Sequence, residues 1–243
     1  MIKRLFDIVF SLILVVLLSP LLILFSFLIW KQDKEQPFYI AERVGKNEKL
    51  FKMMKFRSMV VNADKSGIDS TTSNDPRITS LGHFIRKYKI DELPNFFNIY
   101  LGQMSFVGPR PNVKRETDLY TLEEKALLSV RPGITDLASI VFSDEGEILS
   151  NSQDPDLDYN QLIRPWKSRL GIFYVKKRTL LLDIKLIILT AISIISRQKA
   201  LNSINKILIN LSAEEKIIQI SKRKNQLTPY PPPGSGSIVT SRE

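Results

Sequence analysis

LVVLLSPLLIL (residues 14–24) places a Ser-Pro pair at the centre of the most apolar run in the chain, which extends from Leu5 to Trp30. At about 1.5 Å per residue, a helix of that length would reach roughly 39 Å, enough to cross the hydrocarbon core of a bilayer. Pro20 should kink this helix, because proline removes a backbone donor and clashes with the carbonyl one turn earlier. The Ser19 hydroxyl can hydrogen-bond a freed carbonyl. The sequence therefore predicts two half-helices separated by the Ser-Pro break.

Basic residues flank both ends of this apolar run. Lys3 and Arg4 precede it, and Lys31 and Lys34 follow it, so the positive-inside rule gives no preference for ends on opposite sides of a membrane. We therefore predict that residues 1–34 form a re-entrant helix hairpin, which dips into one leaflet and returns. A single kinked span stays open as an alternative. A signal peptide fits poorly, because its apolar region is normally only about 7–15 residues long.

The composition of the whole chain limits the classes of protein and site. The part after the apolar run, roughly 200 residues, can form one compact domain. A net charge of +10 indicates an anionic partner, which could be nucleic acid, acidic lipid or a phosphorylated substrate. The absence of cysteine excludes disulfides, zinc-thiolate sites and a cysteine nucleophile. The single histidine, His83, cannot form a His-rich metal cluster.

Turn residues and hydrophobic periodicity predict an α/β fold that is mostly helical, with one short β-hairpin, for residues 35–212. The hairpin strands are predicted in residues 37–45 and 50–59, and a polar loop in residues 62–80. The remaining predictions are a helix from residue 81, a helix that starts at the carboxylates of residues 91–92 and ends at Gly102, a helix near residues 121–129, a loop and strand over 131–149, and a helix over 159–178.

The C-terminal part begins with the apolar segment TLLLDIKLIILTAISII (residues 179–195). Because this segment carries Asp183 and Lys185, we expect a core or membrane-surface helix rather than a second span. Residues 213–243 form a basic tail rich in Pro, Gly and Ser. From Asn225 onward its composition is typical of a disordered linker.

The segment KYKIDELPN (residues 87–95) carries the chemistry that we consider most informative. Neighbouring residues on a helix point about 100° apart, so Asp91 and Glu92 cannot easily converge on one atom, but they can serve adjacent centres. One carboxylate can attack while the other holds a cation. The free N–H groups of a helix N-terminus would keep Asp91 ionised. An acidic pair at a helix start is also an ordinary capping feature, so the pair alone does not establish catalysis.

Basic side chains surround this acidic pair in the sequence. Arg86 lies just upstream, Arg110 lies downstream in GPRP, and Lys55 and Arg57 lie on the predicted hairpin. Together these four cations could neutralise a diphosphate. Each of them alone could be a solvated surface charge.

The chain contains an ordered series of motifs: RLFDIVFSLILVVLLSP (4–20), ERVG (42–45), KFRSM (55–59), DPRITSLGHFIRK (75–87), DELPNFFNIYLGQMSFVGPRP (91–111) and RPGIT (131–135). This series resembles the bacterial sugar transferase family, the monotopic polyprenol-phosphate phosphoglycosyl transferases. The resemblance implies transfer of a sugar 1-phosphate from a UDP-sugar to undecaprenyl phosphate, with release of UMP, at the cytoplasmic face of the bacterial inner membrane. It also implies that the break at Ser19 and Pro20 makes a re-entrant membrane helix.

The resemblance further implies a covalent mechanism. Asp91 would attack the sugar-bearing phosphorus to form an aspartyl phosphosugar, and the lipid phosphate would attack that intermediate. Glu92 would bind Mg²⁺, a hard cation that suits carboxylate and diphosphate oxygens. The candidate phosphate ligands are Lys55, Arg57, Arg86 and Arg110. The expected partners are UDP-sugar, undecaprenyl phosphate and membrane lipids, with no nucleic acid; a homodimer stays open.

One segment departs from the family pattern. Many members continue PGIT as GWAQV followed by an Arg-containing loop, whereas this chain reads PGITDLASIVFSDEGEIL (residues 132–149). Asp136 and the acidic residues Asp144, Glu145 and Glu147 therefore loosen the expectation for nucleotide or sugar specificity.

Two other classes of protein remain as alternatives. A non-catalytic, membrane-anchored lipid-binding scaffold would explain the apolar run and the positive charge, but it would not need the carboxylate pair. A basic nucleic-acid-binding protein would explain the charge alone. Salt-sensitive nucleic-acid binding without turnover would favour that class.

Overall fold

The computed structural model describes residues 2–63, 71–72 and 74–241, and its first two helices meet at the Ser-Pro break. Helix α1 (Ile2–Leu17) and helix α2 (Ser19–Asp33) are bent by 61° relative to each other. Ser19 Oγ donates to the Val16 carbonyl at 2.8 Å, and Pro20 lies in the first turn of α2, where its missing N–H costs no helical hydrogen bond. The predicted bend is therefore confirmed.

Within these described ranges, no single helix has the length and apolar composition needed to cross a bilayer, whereas α1 and α2 meet that requirement together as one bent pair.

Polar side chains near the start of α1 attach this helix to the rest of the protein. The Asp7 carboxylate, the single charge of the apolar run, is buried and accepts hydrogen bonds from Ser105 Oγ (3.1 Å) and from the backbone N–H of Phe106 (3.3 Å). Arg4 donates to the carbonyl of Ile99 at 2.6 Å. These contacts hold α1 against the domain by polar as well as apolar groups.

The predicted hairpin is confirmed as an antiparallel pair. Strand β1 (Phe38–Val44) pairs with strand β2 (Leu50–Phe56), from Phe38 opposite Phe56 to Val44 opposite Leu50. Asn98 fixes the position of this hairpin, because its side chain accepts from the N–H of Met54 (3.0 Å) and donates to the carbonyl of Lys52 (2.7 Å). The predicted loop over 62–80 falls partly on residues 64–70 and 73, which lie outside the described residues.

A second pair of strands lies in the middle of the chain. Strand β3 (Ser105–Val107) runs parallel to strand β4 (Gly133–Thr135). Gly133 is required at this crossing, because a Cβ there would lie 2.1 Å from the backbone nitrogen of Gly108. Helices α3 (Ser80–Lys87) and α4 (Asn95–Tyr100) lie between β2 and β3 in the chain.

The prediction of a loop and strand over residues 131–149 is only partly correct. After β4 the chain forms two short helices, α6 (Leu137–Val141) and α7 (Glu145–Ile148). Asp136 starts α6, because its carboxylate accepts a hydrogen bond from the N–H of Ser139 at 2.7 Å. A capping carboxylate followed by apolar residues at helical spacing therefore favours a helix at residues where the sequence suggested a loop and strand.

The other helices build most of the core. The predicted helix over 159–178 is confirmed, because a π-helical turn (Tyr159–Ile163) leads into helix α9 (Arg164–Lys177). The predicted helix near 121–129 is a 3₁₀ helix (Glu124–Ser129). The remaining elements are α5 (Lys114–Asp118), α8 (Pro155–Asp158), α9 (Arg164–Lys177), α10 (Leu180–Ile195), α11 (Arg197–Asn210) and α12 (Glu215–Ser221). Boundaries between domains at residues 34 and 212 stay predictions.

The tail from Asn225 to Ser241 differs from the disorder that its composition suggests. Tyr230 stacks on Trp166 of α9 with ring centroids 4.5 Å apart, and its backbone N–H donates to the carbonyl of Gln161 at 3.0 Å. The side chains of Arg169 and Gln161 also donate to tail carbonyls, those of Pro231 and Val239. Composition averages over a segment, so it does not register individual anchoring contacts.

A buried ion pair provides a stability test of this fold. Arg164 and Glu124 are almost fully buried, and two guanidinium nitrogens donate to the two carboxylate oxygens at 3.1 and 2.7 Å. We expect Glu124→Gln to lower the free energy of unfolding by about 3–5 kcal/mol, because it leaves the guanidinium without a charged partner. The matched control is Glu123→Gln, because Glu123 is the neighbouring residue and its side chain is exposed. This control should change the free energy of unfolding by less than about 0.5 kcal/mol. Thermal unfolding in one detergent would measure both, and equal midpoints would contradict the assignment.

Candidate functional site

The acidic pair lies in a separate turn before helix α4. Asp91 and Glu92 belong to a 3₁₀ turn (Ile90–Glu92), which begins after Lys89 in the left-handed conformation (φ 57°). Pro94 caps α4, so the two carboxylates are not in the first turn of that helix as predicted. The predicted end of the helix is correct, because Gly102 has φ +83° just after it.

Glu92 is held between two cations from different parts of the chain. Its Oε1 accepts hydrogen bonds from Lys55 Nζ of β2 (3.2 Å) and from Arg110 Nη2 of the loop after β3 (2.6 Å). Burial alone would raise the pKa of Glu92, but Arg110 and Lys55 outweigh it and hold that pKa well below its usual range. Glu92 is therefore a carboxylate that stays ionised.

Asp91 has the opposite electrostatic environment. Its side chain is buried, and its Oδ1 accepts no hydrogen bond from any group in the described part of the chain. Burial raises the pKa of Asp91, and Lys55 opposes this effect only in part. Burial therefore opposes the ionisation that the sequence predicts for Asp91, and its carboxyl group loses its proton less readily than that of an exposed aspartate.

The predicted phosphate ligands divide into two groups. Lys55 and Arg110 contact Glu92 directly. Arg57 instead makes a bidentate pair with Asp33 at the end of α2, with both distances at 2.6 Å, and Arg86 lies 3.5 Å from the Ser58 hydroxyl. All four cations line the cleft that also contains Asp91 and Glu92.

This cleft has a volume of about 920 Å³ and is lined by residues from several segments. Sequence reasoning missed its contributors Arg43, Arg77 and Lys167. Lys167 of α9 pairs with Glu145 of α7, although 22 positions separate them in the chain. No local motif around Lys167 distinguishes it from an ordinary surface lysine.

The residues of the cleft suit Mg²⁺ only in combination with a substrate. In the ranges 2–63, 71–72 and 74–241, no group of three or more Asp, Glu, His or Cys side chains could hold a metal ion alone. Mg²⁺ usually binds through one or two carboxylates, substrate phosphates and water. Asp91, with its unpartnered Oδ1, and Glu92 could supply that small share of the ligands.

The two neighbouring carboxylates should affect stability in opposite directions. At pH 7, Asp91→Asn should raise the thermal midpoint, because an ionised Asp91 is disfavoured in the folded state. Glu92→Gln should lower it, since hydrogen bonds to charged groups contribute about 1.5–3 kcal/mol each.

The changes in thermal midpoint of the two variants should also depend on pH. Because the pKa of Asp91 is raised in the folded state, its ionised form destabilises the fold above that raised pKa, and this effect disappears below about pH 3.9. Because the pKa of Glu92 is lowered in the folded state, its ionised form stabilises the fold above about pH 4.3, and this effect is lost as the pH falls through the lowered pKa. The difference for Asp91→Asn should therefore shrink between pH 7 and pH 4, whereas the difference for Glu92→Gln should persist down to about pH 4.3 and shrink only at lower pH. Changes of the same sign at pH 7 would contradict these assignments.

Comparison with known proteins identifies the family of the chain. The sequence model of the bacterial sugar transferase family matches residues 1–197. An undecaprenyl-phosphate galactose phosphotransferase of Salmonella typhimurium is 36% identical over 213 residues, with 82% of this chain and 41% of that protein covered. A UDP-glucose:undecaprenyl-phosphate glucose-1-phosphate transferase of Klebsiella pneumoniae is 35% identical over 192 residues, with 77% of this chain and 39% of that protein covered.

A third relative also carries the name of an undecaprenyl-phosphate sugar phosphotransferase. A UDP-N-acetylgalactosamine-undecaprenyl-phosphate N-acetylgalactosaminephosphotransferase of Aeromonas hydrophila is 33% identical over 198 residues, with 80% of this chain and 44% of that protein covered. The chain thus spans about two fifths of the length of these three relatives. Because the family match covers most of its residues, this chain belongs to the bacterial sugar transferase family.

Proposed function

We propose that this chain transfers a sugar 1-phosphate from a UDP-sugar to undecaprenyl phosphate and releases UMP. The observation that carries the proposal is the buried pair Asp91 and Glu92. Lys55 and Arg110 neutralise the Glu92 carboxylate. Asp91 Oδ1 has no hydrogen-bond partner among the described residues. The three relatives described above carry names for reactions of this class.

Lys55 and Arg110 would bind the diphosphate of the donor. Both cations already meet at one carboxylate oxygen, so a diphosphate that enters beside Glu92 finds two positive charges without any rearrangement of the backbone. The guanidinium of Arg110 is suited to phosphate oxygens, and Lys55 adds a compact point charge. Arg57 and Arg86 line the same cleft and would provide longer-range attraction.

Asp91 would act as the nucleophile. Its carboxylate oxygen forms a bond to the sugar-bearing phosphorus, and the bond from that phosphorus to the bridging oxygen breaks, so that UMP leaves with the electron pair. A phosphate oxygen of undecaprenyl phosphate then attacks the same phosphorus and releases the Asp91 carboxylate. An oxygen that accepts no hydrogen bond within the described structure is well prepared for this attack.

Mg²⁺ stays a proposed cofactor. Glu92, together with substrate phosphate oxygens, would hold it, and when bound it offsets the negative charge of the diphosphate.

We place this transfer at the cytoplasmic face of the inner membrane; the proposed acceptor is a membrane lipid, which supports a location at a membrane. Large apolar side chains on both helices of the bent pair are exposed, among them Leu5, Val16, Leu17, Ile23 and Phe27. An apolar surface of this kind on a soluble protein would be unusual, and a bilayer would cover it. The pair would therefore form the re-entrant hairpin.

The absence of cysteine makes the membrane topology directly testable. Single replacements Ile2→Cys and Glu35→Cys mark the two ends of the bent pair, and Leu122→Cys, at a residue that is 90% exposed, marks the domain. We expect a membrane-impermeant maleimide to leave all three cysteines unlabelled in intact spheroplasts and to label all three after lysis. Labelling of one end only, before lysis, would establish a kinked span in place of the hairpin.

The covalent step predicts a reaction without the lipid acceptor. Incubation with the correct UDP-sugar and Mg²⁺ should release UMP to about one equivalent and leave a phosphosugar mass on the peptide that contains Asp91. Undecaprenyl phosphate should then discharge this adduct. Asp91→Asn should fold but form neither adduct nor product, because an amide is a far weaker nucleophile.

One control tests the metal, and a second comparison separates the covalent mechanism from direct attack by the lipid phosphate. Chelation of divalent metal should suppress UMP release, because Mg²⁺ is the proposed cofactor. Direct attack predicts no UMP without acceptor, so normal turnover with no adduct in an efficient trapping experiment would reject the role of Asp91 and leave the overall transfer reaction standing.

A further inference from the structure

The cleft has a second wall that the proposed chemistry does not use. Residues of α6, α7 and the turn between them form this wall together with Lys167 of α9; the wall includes Ser139, Ser143, Asp144, Glu145 and Glu147. It coincides with the segment that departs from the common family sequence. We infer that this acidic wall binds the sugar of the donor, with Glu145 as the hydrogen-bond acceptor that distinguishes one sugar from another; the inference rests on the proposed function.

Size and charge separate the wall from the phosphate site. A cleft of about 920 Å³ lies at the upper end of the range of about 300–1,000 Å³ for drug-sized ligands, so it can hold much more than a diphosphate. Carboxylates repel phosphate, whereas sugar hydroxyls donate hydrogen bonds that carboxylate and serine oxygens accept. Of the parts of a nucleotide sugar, those rich in hydroxyl groups are therefore the ones that match this wall.

Glu145 is suited to this role because it is ionised and held in place. Lys167 donates a hydrogen bond to Glu145 Oε2 and lies 5.3 Å from the ring centroid of Tyr159. Burial alone would raise the pKa of Glu145, but Lys167 outweighs it, so the pKa is lowered. A carboxylate offers about four acceptor positions, so the hydrogen bond from Lys167 leaves capacity for a ligand.

The wall is also supported from behind. Asp144 Oδ2 forms an ion pair with Arg197 (2.8 Å) and accepts a hydrogen bond from Arg223 (3.2 Å), whose guanidinium lies 5.2 Å from the ring of Phe142. The Arg223 side chain is only 9% exposed. Because this residue lies outside the matched family region, part of the support comes from the chain's own C-terminal segment.

The position of the wall relative to Asp91 indicates that the sugar, rather than the nucleoside, is the part of the donor that contacts the wall. Arg110 donates a hydrogen bond to Glu92, the neighbour of Asp91 in the chain, and Arg110, Asp91 and Glu145 all line the same cleft. Asp91 carries the buried oxygen without a partner in the described structure, and it would meet the phosphorus that bears the sugar. A sugar attached there would be next to the wall.

Binding measurements on the Asp91→Asn variant test this inference without turnover. Calorimetry would compare UDP with a panel of UDP-sugars in the presence of Mg²⁺. Adding Glu145→Gln should weaken the best-bound UDP-sugar by about tenfold while UDP changes by less than about twofold, since one hydrogen bond to a charged group is lost. The matched control, Glu123→Gln, removes the same charge from an exposed position outside the cleft and should leave both affinities within about twofold.

Each outcome has a distinct meaning. Equal weakening of UDP and UDP-sugars would show that the wall contacts the ribose or the base, and unchanged binding of all ligands would show that Glu145 contacts none of them; either result overturns the inference. The proposed function is tested separately by UMP release from the unmodified protein. Selective loss of sugar binding without any UMP release would reject the transfer reaction and support the sugar wall.

Discussion

The carboxylate of Glu92 joins three segments that are distant in the sequence. Lys55 comes from the hairpin, Arg110 from the loop after β3, and Glu92 itself from the 3₁₀ turn between α3 and α4. A buried carboxylate without these partners would be costly, so the three segments depend on one another for a stable arrangement. The same interaction brings two cations to one point, which is the requirement for binding a diphosphate.

Much of this arrangement could be predicted from local patterns. The bend at Ser19 and Pro20, the hairpin and the end of α4 at Gly102 each depend on residues within a few positions of one another, and the structure confirms them. The raised pKa of Asp91 could not be predicted in this way, because it depends on how deeply distant segments bury the side chain. The pairing of Lys167 with Glu145 and the docking of Tyr230 on Trp166 depend equally on tertiary packing.

Asp91 and Glu92 illustrate how adjacent residues of similar chemistry acquire different properties. Two cations compensate the burial of Glu92, whereas the burial of Asp91 is compensated only in part. The fold therefore tolerates an unfavourable group beside a favourable one. Such a sacrifice of stability is common where a reactive group is needed, and it is a feature that a purely structural capping pair would not show.

The attachment of the bent helix pair at both ends has a mechanical consequence. Asp7 fixes α1 to β3, and Asp33 fixes the end of α2 to Arg57 next to β2. Both ends of the bent pair are therefore attached to the same domain. The distance between the start of α1 and the end of α2 limits how far the two helices can separate, whereas Pro20 determines where along the chain the bend lies. The distance from the domain to the bend is thus determined by contacts that lie outside the apolar run.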